Sequence, residues 1–79
     1  MHHQTDVEHP MRLTIETERE DDGRWLAEVP ELPGVLAYGA TQSQAAAKAE
    51  ALALRVLADR LDHNESKPVD VTIRVQAAE

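Results

Sequence analysis

Between Gly39 and Pro68 the chain contains neither glycine nor proline, and this stretch opens with Thr41-Gln42-Ser43-Gln44. An Ala- and Leu-rich run without a breaker has high helix propensity. Its start carries a capping box: the Thr41 hydroxyl can accept the Gln44 backbone N–H, and the Gln44 side chain can reach back to the N-cap N–H. One long helix is predicted from Thr41 to about Asp62. Asn64 is its left-handed stop, and Pro68 bars continuation. The rest of the chain must cover the apolar surface of that helix.

That surface is wide. Stepping 100° per residue, Ala46, Ala53, Leu54, Leu57, Ala58 and Leu61 fall on one broad sector. Ala45, Ala49, Leu52 and Val56 make a second stripe. Lys48, Arg55 and Asp59 form the polar strip between them, and Glu50 and Arg60 interrupt the apolar surface elsewhere. A helix lying on one sheet needs a single apolar face. The second stripe covers further sheet or meets another subunit. The subunit reading is preferred, with Leu52 and Val56 at the interface.

Strand patterns flank the helix. Met11, Leu13, Ile15 and Thr17 alternate with Arg12, Thr14, Glu16 and Glu18, the period of a strand with one buried face. Glu20-Asp21-Asp22-Gly23 is a turn signal. Trp25, Ala27 and Val29 then share a face, opposite Arg24, Leu26 and Glu28, which predicts a hairpin. Leu26 is the exception on the polar side. Pro30 and Pro33 cannot donate ladder hydrogen bonds, so Pro30-Glu31-Leu32-Pro33-Gly34 is predicted to be a fixed, irregular corner. Val35 to Tyr38 is a short third strand closed by Gly39. Val69, Val71, Ile73 and Val75 alternate with Asp70, Thr72 and Arg74 in a last strand. It joins the sheet edge or pairs with a neighbouring chain. The predicted order is β-β-β-α-β, an α+β two-layer domain over residues 11–79 with an antiparallel-type sheet and one helix packed on it. Residues 1–10 read as a flexible lead-in, in which His2, His3 and His9 show no organised ligand spacing.

Size and composition limit how such a domain is held together. Seventy-nine residues with one Trp, one Tyr, no Phe and no Cys offer a small core and no disulfide or thiolate metal site to reinforce it. Oligomerisation is the remaining staple, so a homodimer or larger assembly is expected. There is no spanning apolar run and no secretory apolar segment, and a cytoplasmic chain is expected.

Catalytic signatures are missing. Ser43 and Ser66 lack a nucleophile-elbow context, and no phosphate loop or metal-ligand spacing occurs. His63 falls at the predicted helix end, where it complements the dipole or faces solvent. Asp21 and Asp22 read as a solvated turn tip. No enzyme activity, cofactor or metal is expected. A net charge of −7 repels nucleic acid backbones and anionic lipid. This charge is localised. Glu16, Glu18, Glu20, Asp21, Asp22, Glu28 and Glu31 stand against Arg19 and Arg24, so the hairpin alone carries 7 − 2 = 5 negative charges. The acidic face either keeps the protein soluble or docks a basic protein. In the second case Glu16, Glu18, Glu28 and Glu31 are the contact candidates.

Two segments carry a family resemblance. Gly23-Arg24-Trp25-Leu26-Ala27-Glu28-Val29-Pro30-Glu31-Leu32-Pro33-Gly34 resembles the pattern G-x-[aromatic]-x-A-x-V-P-[D/E]-L-P-G. Tyr38-Gly39-Ala40-Thr41 followed by Ala45 is similar to the Y/Q-G-D-T-x-x-E-A segment of the same family. Together they resemble the HicB family of bacterial type II antitoxins, over Met11 to about Asp62. Ala40 stands where the family has Asp, and Gln44 where it has Glu; Thr41 can still cap the helix alone. The resemblance implies a partial ribonuclease-H-like fold without the nuclease's acidic set. It further implies a small basic mRNA-cleaving toxin, HicA, as partner. It makes Pro30, Pro33 and Gly34 shapers of the corner, and places Trp25 in the core. Family members commonly add a DNA-binding domain. Only Gln76 to Glu79 follow the last strand here, so direct nucleic acid binding is not expected. The leading expectation is a non-catalytic, oligomeric HicB-like antitoxin; the alternative is an orphan structural or adaptor module with the same fold and no toxin.

Overall fold

The computed structural model describes residues 10–63 and 68–76. The lead-in before Pro10, with His2, His3 and His9, and the helix stop at Asn64 lie outside the described residues. The elements are β1 (Met11–Arg19), β2 (Trp25–Glu28), β3 (Leu36–Gly39), α1 (Gln42–His63) and β4 (Val71–Gln76). They build an α+β fold in two layers: a four-stranded sheet in the order β3-β2-β1-β4, with α1 lying over β3, β2 and β1.

The predicted alternation in β1 holds. Leu13, Ile15 and Thr17 are buried while Arg12, Glu16 and Glu18 are exposed. Thr17 is the buried polar residue of the core, and its hydroxyl accepts a hydrogen bond from Gln42 Nε2 at 2.8 Å. That bond fastens the first turn of α1 to β1 and satisfies a hydroxyl that would otherwise be buried at a cost. In the hairpin, Glu20 N–H donates to the Arg24 carbonyl at 2.7 Å and Gly23 N–H to the Glu20 carbonyl at 3.0 Å.

The corner after β2 is built around inward apolar residues. Val29, Leu32 and Val35 are all buried, and a chain of backbone bonds links them: Val29 N–H to the Val35 carbonyl, Leu32 N–H to Val29, and Val35 N–H to Leu32. Pro30 and Pro33 occupy the exposed positions, where no N–H is needed. Gly34 has φ = 91°, a backbone conformation that a side chain would strain. Gly39 has a different constraint. A Cβ there would lie 2.5 Å from the Ala45 backbone nitrogen, so β3 can meet the start of α1 only without a side chain.

Thr41 caps α1 as predicted, accepting the Gln44 N–H at 3.1 Å. Gln44 Oε1 reaches one residue further back than expected and accepts the Ala40 N–H at 3.0 Å. At the other end, His63 Nδ1 lies 2.9 Å from the Asp59 carbonyl, so its imidazole serves the exposed last turn of α1.

Of the two readings of the second helical stripe, the one met by Ala45 and Ala49 is that it covers further sheet. Ala45 and Ala49 are fully buried, together with Ala46, Ala53 and Leu57, because small side chains let the helix settle closely on the sheet. Leu52 and Val56 are partly buried and pack against this core. The solvent-facing apolar residues come from the first sector, with Leu54 49% and Leu61 40% exposed. One expectation is corrected: the sheet is mixed rather than antiparallel. β4 pairs parallel with β1, Met11 opposite Val71 through Glu16 opposite Gln76. The reason is the helix. Its 22 residues, at about 1.5 Å each, carry the chain back across the sheet, and such a crossover returns a strand in parallel.

Candidate docking face on the open side of the sheet

Among the described residues no element covers the face of the sheet opposite α1, and strand register decides what it displays. Glu16 stands opposite Glu28, and Glu18 opposite Leu26. On the next strand Leu26 stands opposite Tyr38, and Glu28 opposite Leu36. Side chains directly opposite share a face. Across β1, β2 and β3 the open face therefore holds two rows, Glu16–Glu28–Leu36 and Glu18–Leu26–Tyr38; toward β4 the same face continues through Gln76 beside Glu16, Arg74 beside Thr14, and Thr72 beside Arg12.

The turn bond from Glu20 to Arg24 sets the phase of this ladder. Counting back in twos, Glu16–Glu28 is a hydrogen-bonded pair, with Cα atoms about 5.5 Å apart. Like charges directly opposite destabilise a sheet. Among the described residues no Lys, Arg or His lies within ion-pair distance of Glu16, Glu18 or Glu28. Beside these acids Leu36 is 44% and Tyr38 38% exposed. The result is a negative strip running along an apolar one.

The same phase explains Glu31. The next N–H directed toward β2 is that of Thr14, but the chain turns away at Pro30. The Glu31 carboxylate takes the place of the missing strand and accepts the Thr14 N–H at 2.9 Å. This bond holds the Glu31 carboxyl below its ordinary value of 4.5. Of the four acidic contact candidates, Glu16, Glu18 and Glu28 are brought together on the open face. Glu31 closes the end of the ladder.

At the hairpin end, Asp22 grips Arg24 twice, accepting its backbone N–H at 3.0 Å and its Nε–H at 2.9 Å. The backbone bond is the larger reason that the Asp22 carboxyl sits below its ordinary value of 3.8. So held, the Arg24 guanidinium lies 4.3 Å from the centroid of the Tyr38 ring, a cation–π distance. Arg24 thus borders the apolar strip with a positive charge already engaged by Asp22. Trp25 points to the other face, partly buried against the core.

The segment Val35 to Tyr38 carries no charged residue and so shows no alternation in the sequence; only its pairing with β2 separates Leu36 and Tyr38, facing out, from Ala37 and Gly39, facing in. Leu26 on the polar side of β2 was the available clue.

Two shallow depressions lie on or beside this face. A depression bounded by Glu16, Glu18, Leu26 and Glu28 holds about 90 Å³, and one along Thr14, Arg74, Val75 and Gln76 about 230 Å³. Both are smaller than the roughly 300–1,000 Å³ of ligand pockets. Among the described residues no group of three or more His, Cys, Asp or Glu is placed to hold a metal ion, and no helix is long and apolar enough to cross a membrane. Compared with family models, curated proteins and solved structures, the chain matches none of them.

Proposed function

We propose that this chain is a non-catalytic, HicB-like protein that binds and neutralises a small basic ribonuclease of the HicA type. The observation that carries the reading is the open face itself: Glu16, Glu18 and Glu28, with no ion pair to a cation among the described residues, lying against half-exposed Leu36 and Tyr38. A basic protein seated there supplies the missing counter-charges and covers the apolar strip. Charge complementarity would speed encounter and select the partner, while Leu26, Leu36 and Tyr38 contribute area removed from water. The element order β-β-β-α-β supports the partial ribonuclease-H-like reading, and the Val29–Gly34 corner with the Thr41 cap supports the family resemblance. The antitoxin has no chemistry of its own to perform in this scheme. It acts by occupying the surface with which the toxin would engage RNA.

The test is co-expression with any small basic reading frame found beside the gene. The account expects that frame to arrest growth alone and to be harmless when this chain is present, with the two proteins co-purifying. A toxic frame that this chain neither rescues nor binds would remove the antitoxin reading.

A further inference from the structure

We infer that the outer edge of β4 is a self-pairing edge, and that its partner is β4 of a second copy of this chain, running antiparallel with Ile73 opposite Ile73. The starting point is backbone direction. Met11 N–H donates to the Asp70 carbonyl, so in the parallel ladder Asp70, Thr72, Arg74 and Gln76 turn their amides and carbonyls toward β1. By strand alternation, Val71, Ile73 and Val75 turn theirs outward. β4 is an end strand of the sheet, and among the described residues nothing pairs with those outward groups. The strand has no proline, lysine or bulge of the kind that blunts natural edges.

The side chains of Val71 and Val75 are also exposed. Val71, Ile73 and Val75 pair with Met11, Leu13 and Ile15 and therefore share their face, the one that carries α1. The helix lies over β3, β2 and β1. Val71 is 40% and Val75 57% exposed, while Ile73 is partly buried. The edge thus presents open hydrogen-bonding groups and open apolar side chains along one line.

The sequence Val71-Thr72-Ile73-Arg74-Val75 is self-complementary when reversed about Ile73. Val71 then faces Val75 of the second copy, Ile73 faces Ile73, and Thr72 faces Arg74. On the other face Arg74 lies diagonal to Asp70 of the second copy, within reach of a long side chain. All the outward groups of Val71, Ile73 and Val75 find partners. Other registers do worse. A shift of one residue sets these outward groups against amides that point to β1. A shift of two residues one way places Arg74 against Arg74, and the other way shortens the ladder within Val71–Gln76. The occupant is therefore a second copy rather than an arbitrary strand. The two-fold axis stands perpendicular to the sheet, so both helices lie on one side. Both open faces lie on the other, their acidic strips set apart by Arg74 of each copy near the axis, which makes the docking surface bivalent.

Sedimentation equilibrium of the full chain tests the pairing. The wild type is expected at twice its 8.8 kDa chain mass. Val75→Pro deletes an outward N–H without touching the ladder to β1, and is expected to give a folded monomer by circular dichroism. Leu54→Glu, on the exposed helix surface, is expected to leave the dimer intact. The chain has no cysteine, so Ile73→Cys reports register. Opposite Cα atoms at about 5.5 Å fall within disulfide range, and mild oxidation should link the copies. A monomeric wild type, a Val75→Pro dimer, or dissociation by Leu54→Glu would overturn the inference. If Val75→Pro does not fold, the Ile73→Cys cross-link decides: its absence overturns the pairing.

Discussion

The two faces of the β1–β2 ladder are made from the same residues in alternation, yet they obey different rules. The face under α1 is a packed core: Leu13, Ile15, Ala27 and Val29 are buried, and its one buried hydroxyl, on Thr17, is hydrogen-bonded. The open face places Glu16 against Glu28 and leaves Leu36 and Tyr38 half exposed. Stability alone would favour an oppositely charged pair at Glu16 and Glu28. The contrast separates residues that hold the fold from residues whose arrangement the fold does not require.

The strongest way to break the contrast is from the buried side. Ile15 is fully buried in the middle of β1, and Ile15→Ala should lower unfolding free energy by about 2–5 kcal/mol in urea titration. Partner binding by the remaining folded fraction should be unchanged. A smaller loss is expected at the helix cap. Thr41→Ala removes the acceptor for Gln44 N–H and should cost about 1 kcal/mol, again without a direct effect on binding.

The open face should respond with the opposite sign. Glu28→Gln relieves the charge opposite Glu16, and should raise stability by roughly 0.2–1 kcal/mol while weakening a basic partner. A destabilised Glu28→Gln would mean that Glu16 and Glu28 do not oppose each other in solution.

The smallest effect concerns Glu31, whose carboxyl is lowered in the folded protein chiefly by the Thr14 N–H. A lowered group stabilises the fold above its unfolded value, near 4.5, and the contribution disappears as pH falls through the folded value. Acid titration should therefore show a stability loss beginning below about pH 4.5 that is reduced in Glu31→Gln. An identical acid profile in that variant would remove the assigned bond.

Local chemistry made much of this legible in advance. The β1 alternation, the Thr41 cap and the proline corner each rest on residues within a few positions of one another. What stayed hidden depends on distant partners. Alternation assigns Val71 and Val75 to a face but cannot say that α1 stops short of that face. The helical period groups Leu54 with Leu57 but cannot say that the sheet reaches only Leu57. The direction of β4 followed from the length of the crossover, which the predicted antiparallel-type sheet did not use. At the site, the acidic cluster was visible as composition. The separation of Glu31 from Glu16, Glu18 and Glu28 required the ladder phase and the turn at Pro30.

The central claim is that the uncompensated carboxylates of the open face are a binding surface for a basic protein. Isothermal titration of a small basic HicA-type protein into wild type and into the Glu16→Gln, Glu18→Gln, Glu28→Gln triple variant tests it most directly. The account predicts about tenfold or greater loss of affinity and a weaker salt dependence, with thermal stability equal to or above wild type. Equal affinity and equal salt dependence in a folded triple variant would contradict it.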